Sequence, residues 1–399
     1  MPGPLDGLKI LDIATVIAAP FAATLMSDYG ADVVKLELPG KGDGMRAFPP
    51  FKDGQSIWWK TMQRGKKHGT LDLRRPEGVE LFKRLLPQFD VLIENFRPGT
   101  LDRWGLTREI LWEIQPRLVI LRVTGFGQDG PYRNRPGFAR IFEAMGGLTA
   151  ITGNAAEEPM HAGFPLGDSI GGMFAAVGVL AALWKRAKDP DALGEEIDLS
   201  MTEAVMRLLD FMPAVYQQLG LVPQRQGNRS PYSAPSAVYR TRDDRWVSMA
   251  GSIDSIFHNN CRAICRPDLI ADPRFASNAS RIDHEVEINE IFANWCENHD
   301  LEQVLAAFEQ AQGTLAPVYT IDQIVNDPQV RARKAIVGVP DRDFGSIDMP
   351  AVVPRFCNDP PPPPRNAAGA LGQDNQAVFG DLLGLSTQEI ERLQQAGVI

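Results

Sequence analysis

The sequence predicts an α/β protein: a large domain built on a parallel sheet, joined to a smaller α+β domain. Three observations predict it. The first half alternates short apolar runs with amphipathic, helix-like segments. The apolar runs are continuous, as in strands buried on both faces. Near residue 225 the texture changes, and a hairpin pattern precedes a series of short helical segments.

Leu8–Ile13 reads as the first strand. Pro20–Tyr29 reads as a helix with proline in its first turn and Gly30 as its C-cap. Ala31–Leu38 is the next strand, Pro76–Leu86 an amphipathic helix, and Val91–Ile93 and Leu118–Val123 further strands. This alternation implies a Rossmann-like sheet covered on both faces. After a helix that begins near Met201, Ala237–Arg240 and Trp246–Met249 flank the polar turn Thr241–Asp244, a hairpin signal. Leu301–Phe308 is helical. The large domain is therefore expected at 1–224 and the small one at 225–330, with a return segment, 331–399, completing the large domain. Pro360–Pro364 predicts a stiff extended spacer. Ser386 and Glu389 predict a capping box opening a terminal helix. No internal repeat or heptad array is present.

With 44% hydrophobic and 23% charged residues over 399 positions, the chain can bury a sizeable core. Its net charge of −9 argues against nucleic acid as a partner. Cys261, Cys265, Cys296 and Cys357 match no zinc spacing and read as reduced thiols. The first residues show no basic leader before an apolar core. The apolar stretch Ile170–Trp184 is too short to span a bilayer comfortably and reads as a buried helix. The expectation is a cytoplasmic protein with no membrane partner.

Gly163–Gly172, GFPLGDSIGG, places one carboxylate, Asp168, before that apolar helix. Two readings stand. An aspartate at a helix start commonly caps it, accepting hydrogen bonds from free N–H groups. Alternatively, glycines on both sides admit a bulky ligand, and the carboxylate acts as a nucleophile beside N–H groups that stabilise an oxyanion. Glu94–Gly105 follows a buried strand and opens a helix, the usual ligand-binding position in a parallel sheet. Arg97 and Arg103 could meet phosphates there, or be solvated. Arg64–Arg75 is locally basic and reads as a solvated face. Glu158 and His161 lie upstream of Asp168, but nothing in the sequence pairs a second acid with it, as glycosidase chemistry would want.

In this order, these segments resemble the class III CoA-transferases, the group of formyl-CoA and carnitine CoA-transferases. The resemblance runs nearly end to end. It is carried by Pro4–Asp12, Gly30–Glu37, Lys66–Arg74, Glu94–Gly99, Thr124–Tyr132, Arg135–Phe138, Gly167–Asp168, Glu196–Glu203 and Ala396–Ile399. It implies that Asp168 is the nucleophile, attacking a CoA thioester to form a mixed anhydride and then an aspartyl-CoA thioester. Coenzyme A enters as the substrate thioester, and the family chemistry needs no metal. The resemblance further implies CoA contacts from Ile17, Ala18, Leu71, Arg74, Asn95, Phe96, Arg97, Arg103, Phe138 and Met201. Leu38 and Phe138 replace an arginine and a tyrosine of the formyl-CoA transferase. The glycine-rich lid of some members is reduced to Ala250–Ser252. An acyl-CoA and a small carboxylic acid are the expected partners, with an interlocked-ring homodimer as the assembly. Arg135, Arg140 and His161 are candidates for a second carboxylate, with succinyl-CoA as donor. An α-methylacyl-CoA racemase needs a base on each face of the acyl α-carbon. Its histidine position holds Phe138, which cannot abstract a proton. A non-catalytic CoA-binding protein is the remaining alternative.

Overall fold

The computed structural model describes residues 3–358, 360 and 362–399. The proline spacer at 360–364 therefore falls partly outside the described residues, at Pro361. The chain forms two compact units. The larger holds Met1–Leu148, Ala162–Ala214 and Gln329–Ile399; the smaller holds Thr149–His161 and Val215–Pro328. The boundaries expected at 225 and 330 are thus displaced: residues 149–161 and 215–224 go with the small unit. The first of these segments is held there by Arg225, whose guanidinium donates to the carbonyls of Ala150, Asn154 and Glu157.

The large unit is built on six parallel strands: β1 (Lys9–Asp12), β2 (Asp32–Glu37), β3 (Lys67–Thr70), β4 (Val91–Glu94), β5 (Val119–Thr124) and β6 (Glu196–Ser200). Their order in the sheet is β3-β2-β1-β4-β5-β6. Lys9 pairs with Asp32 on one side of β1, and Ile10 with Val91 on the other. Successive side chains leave a strand on opposite faces, so two cores form. Leu11, Val34, Leu92 and Ile120 face Phe82, Leu85, Phe379 and Leu393. Ile10, Val33, Val91 and Leu121 face the alanine-rich helix α1 (Ala18–Asp28). Its small side chains let it lie close to the sheet. Helix α2 (Pro76–Leu85) carries proline at its first position.

Two strands of this sheet were not legible as strands. β3 lies in the basic segment Arg64–Arg75, read above as a solvated face. The structure corrects that reading. Lys66 is buried and donates to Asp12 Oδ2 (2.8 Å), Gln63 Oε1 and the Pro20 carbonyl. Arg64 pairs with Asp28, Lys67 with Asp32 and Arg74 with Asp72. The C-terminal return segment seals this edge: the His68 N–H donates to Asp374, and the Thr70 N–H to Asn375. β6, within Glu196–Ser200, pairs with β5 through Ile120 and Glu196.

On the sheet's α1 side lie α3 (Ala139–Met145), α4 (Leu166–Lys188) and α5 (Met201–Leu208). With 23 residues, α4 is long and apolar enough to cross a membrane. Ile170, Ala175, Ala176 and Val179 are buried, whereas Met173, Val177, Leu180 and Trp184 are exposed. The expectation of a buried helix holds for one face only. At the C-terminus, Ser386 and Glu389 form the expected capping box at helix Thr387–Gln395.

The small unit contains a three-stranded antiparallel sheet. The hairpin of β7 (Ser236–Arg240) and β8 (Trp246–Ala250) is joined by β9 (Leu315–Pro317). Helices Asp254–Ala263, Glu285–Glu297 and Leu301–Gln310 pack on it through Phe257, Phe292 and Phe308. Within this unit the short loop at Gly251 is tied down by Arg281, which donates to the Ser252 carbonyl at 3.4 Å.

Candidate active site

The strand order reverses between β1 and β4. The loops leaving their C-terminal ends, at residues 13–17 and 95–99, diverge there, the position at which parallel sheets bind ligands. A cavity of about 240 Å³ opens at this point, and Asp168 lines it.

Asp168 reaches the cavity because of how α4 begins. The helix starts at Leu166 after Pro165, with no side-chain cap, so Asp168 stands third in the helix and is not its N-cap. The capping reading is thereby corrected. Gly167 donates its N–H instead to Glu143 Oε1 of α3, at 2.8 Å. One turn beyond Asp168, a Cβ on Gly171 would run into Met201, and one on Gly172 would stand 2.7 Å from the Ala18 carbonyl oxygen. The glycine pair lets α4 cross the start of α1 at backbone contact. Asp168, one turn upstream, thus shares a cavity wall with Ile17 and Ala18.

Asp168 accepts no hydrogen bond from any described residue. Burial pushes its carboxyl up to about 6, and the neighbouring charge of Glu143 adds to the rise. The expectation that no second acid stands near Asp168 is therefore also corrected. Glu143 is itself buried.

The opposite wall is the loop after β4. Glu94 Oε2 accepts the Phe96 N–H at 2.6 Å, and burial raises that carboxyl to about 7. Asn95 grips the loop after β1 twice. Its Oδ1 accepts the Thr15 N–H at 2.8 Å, and its Nδ2 donates to the Thr15 carbonyl at 2.7 Å. Arg97, Arg133 and Arg135 also line the cavity, as do Phe138, 74% exposed, and Met201. Arg135 lies 3.7 Å over the Tyr132 ring. None of these three arginines makes an ion pair among the described residues, and none lowers the Asp168 pKa.

A second cavity, of about 400 Å³, shares Thr15, Val16 and Phe96 with the first. Leu38, Leu71 and Trp104 give it apolar walls, with Lys41 and Arg74 among its lining residues. The two cavities together bring in Ile17, Ala18, Leu71, Arg74, Asn95, Phe96, Arg97, Phe138, Met201 and Asp168. Arg103 lines neither and donates to Thr100 Oγ1. Arg140 is exposed and also outside both. His161 belongs to the small unit, where its ring Nδ1 lies 3.4 Å from Thr149 Oγ1. Glu143 and Arg133 were missed. Arg133 stands two residues before Arg135, so its charge was visible. Glu143 gave no local signal, since its contact with Gly167 spans 24 residues.

A buried carboxylate in the first turn of a helix lines one of two adjoining cavities at the sheet's switch point. The family described as CoA-transferase family III matches residues 5–375. The chain belongs to CoA-transferase family III. This CoA-transferase is 41% identical over 399 residues to the succinyl-CoA–D-citramalate CoA-transferase of Chloroflexus aurantiacus, covering 100% of this chain and 98% of that one. It is 37% identical to the succinyl-CoA–L-malate CoA-transferase beta subunit of the same organism, covering 99% and 98%. Among solved structures it resembles a CAIB/BAIF family protein from Brucella suis. There the TM-score is 0.83 at 29% identity, covering 96% of this chain and 100% of that one.

Proposed function

We propose that this CoA-transferase moves CoA from succinyl-CoA to a dicarboxylic acid through covalent acylation of Asp168. One observation carries the reading. A carboxylate that accepts no hydrogen bond among the described residues lines a cavity with Arg97, Arg133 and Arg135, which make no ion pair among the described residues. In a chain of net charge −9, such cations suit anionic ligands. Relatives named for succinyl-CoA with citramalate or malate support the donor and the acceptor class.

The Asp168 carboxylate attacks the thioester carbonyl, the C–S bond breaks, and CoA thiolate leaves a mixed anhydride. The thiolate then attacks the aspartyl carbonyl, freeing succinate and leaving Asp168 as its CoA thioester. The acceptor carboxylate attacks that thioester, forming a second anhydride and releasing the thiolate again. Attack of the thiolate on the acceptor's carbonyl yields its CoA ester and restores Asp168. Each step exchanges one activated acyl bond for another, so no net proton moves. The N–H groups of Ile17 and Ala18, at the cavity wall and the start of α1, stabilise the oxyanion at each addition. The apolar walls around Asp168 limit hydrolysis. Among the described residues no histidine lines the cavity, which disfavours proton abstraction from two faces of an acyl α-carbon.

Leu71 and Arg74, in the second cavity, receive the nucleotide end of CoA, with Phe96 at the junction. A second copy of the chain is the proposed partner, in the interlocked pairing that the family resemblance implies. The exposed apolar face of α4 supports this.

The test is exchange. Purified enzyme with succinyl-CoA and a panel of dicarboxylic acids is expected to give the acceptor's CoA ester and succinate in equal amounts. Absence of exchange with every diacid would contradict the reading.

A further inference from the structure

Val16 is a β-branched residue with φ of 69°, in the left-handed region that favours glycine. It lies in the walls of both cavities, one residue before Ile17. Its N–H donates to both carboxylate oxygens of Asp43, at 3.0 and 3.1 Å. Asp43 is buried, follows β2, and also accepts the Met45 N–H at 2.9 Å. Lys35 Nζ, fully buried, stands 3.2 Å from Asp43 and donates to the Ala14 carbonyl at 2.6 Å. Asn95 holds Thr15 from the other side. Every residue from Ala14 to Val16 is thus held by a polar side chain: Lys35 of β2, Asn95 just after β4, and Asp43 in the loop after β2.

A core needs no buried ion pair to hold a loop, and such pairs add little stability of their own. Strained backbone persists where surrounding structure over-determines it, and it clusters at reacting centres. We propose that Asp43 is a positioning residue for CoA transfer: it holds Val16 left-handed and so aims the Ile17 and Ala18 N–H groups at the reacting carbonyl beside Asp168. Lys35 orients Asp43 from behind. This rests on the reading of Asp168 as the acylated residue. Asp43 lines the second cavity but is buried, and the role proposed for it is exerted through Val16.

The assay combines steady-state exchange from succinyl-CoA with trapping of acylated enzyme by hydroxylamine. Asp43→Ala, which removes both oxygens that accept the Val16 N–H, is expected to lower kcat at least about tenfold while changing KM for succinyl-CoA little, because the loss falls on the developing oxyanion. Adding Val16→Gly is expected to restore most of kcat, because glycine takes that backbone conformation without help from Asp43. A defect caused only by the changed charge around Lys35, which keeps Asp12 at 3.8 Å, would not respond to Val16→Gly, and that result overturns the proposal. So does wild-type kcat in Asp43→Ala. Should Asp43→Ala fail to fold, Lys35→Met with Asp43→Leu removes both partners of that pair together. The same rescue by Val16→Gly is then required. Wild-type enzyme trapped in parallel separates the two claims. Label at Asp168 without rescue removes only the role of Asp43, whereas an active wild type without label at Asp168 removes the reading beneath it.

Discussion

Glu143 accepts the Gly167 N–H at 2.8 Å, one residue before Asp168. One carboxylate thus orders the turn that carries another, and the two charges repel. Asp168 is pushed up to about 6, chiefly by burial and further by Glu143. In the proposed mechanism only the ionised carboxylate attacks. The acyl-transfer rate is therefore expected to rise with pH through about 6 and level off above it. Glu143→Gln keeps an oxygen for Gly167 but removes the charge. It is expected to move that limb to lower pH, though not to the free carboxylate value, because burial remains. A pH–rate profile of the first half-reaction checks this; an unmoved limb contradicts it.

The same shift has a stability consequence. A carboxyl raised from 3.8 to about 6 on folding favours the fold while protonated and loses that contribution as pH climbs through about 6. Asp168→Asn is uncharged throughout. It is expected to be more stable than wild type at pH 8, by up to about 3 kcal/mol, and equal to it near pH 4. Denaturant melts at the two pH values test this.

Gly171 and Gly172 separate packing from chemistry. A Cβ on Gly172 meets the Ala18 carbonyl, which is backbone and cannot yield without moving α1. Gly172→Ala is expected to cost about 1–3 kcal/mol and to lower kcat about a hundredfold, because α4 and Asp168 shift together. At Gly171 the obstacle is the end of the Met201 side chain, which can swing aside. Gly171→Ala is expected to be clearly milder on both measures. Thermal melts and steady-state kinetics on the two variants decide it.

Arg133 and Arg135 line the cavity and make no ion pair among the described residues. Replacing either by leucine is expected to raise KM for a dicarboxylic acceptor about tenfold or more, and to leave the KM of a monocarboxylic acid of equal length nearly unchanged. Equal loss for both acids would assign the arginines to CoA instead.

Much of this fold was legible because it is local. β1, β2, β4 and β5 are short, predominantly apolar segments, α2 carries proline at its start, and Ser386 and Glu389 cap within one turn. What was not legible depends on distant partners. β3, Lys-His-Gly-Thr, has no apolar pattern and is a strand because β2, Asp374 and Asn375 pair with it and because Asp12 and Glu37 receive Lys66 and His68. Thr149–His161 joins the small unit through Arg225, far along the chain. The composition of α4 could not separate its buried face from the exposed one. Asp168 was visible as a lone carboxylate among glycines. Its place inside the first turn depends on Glu143, and the shape of the facing loop on Asp43, neither of which any local pattern announces.

The central claim is that one oxygen of Asp168 becomes acylated in turnover. Enzyme incubated with succinyl-CoA alone, treated with hydroxylamine, digested and mapped by mass spectrometry, tests it directly. The expected result is a hydroxamate on Asp168, absent from Asp168→Asn. A modification on Glu143 or any other residue, or none in an enzyme that turns over fully, would contradict the account.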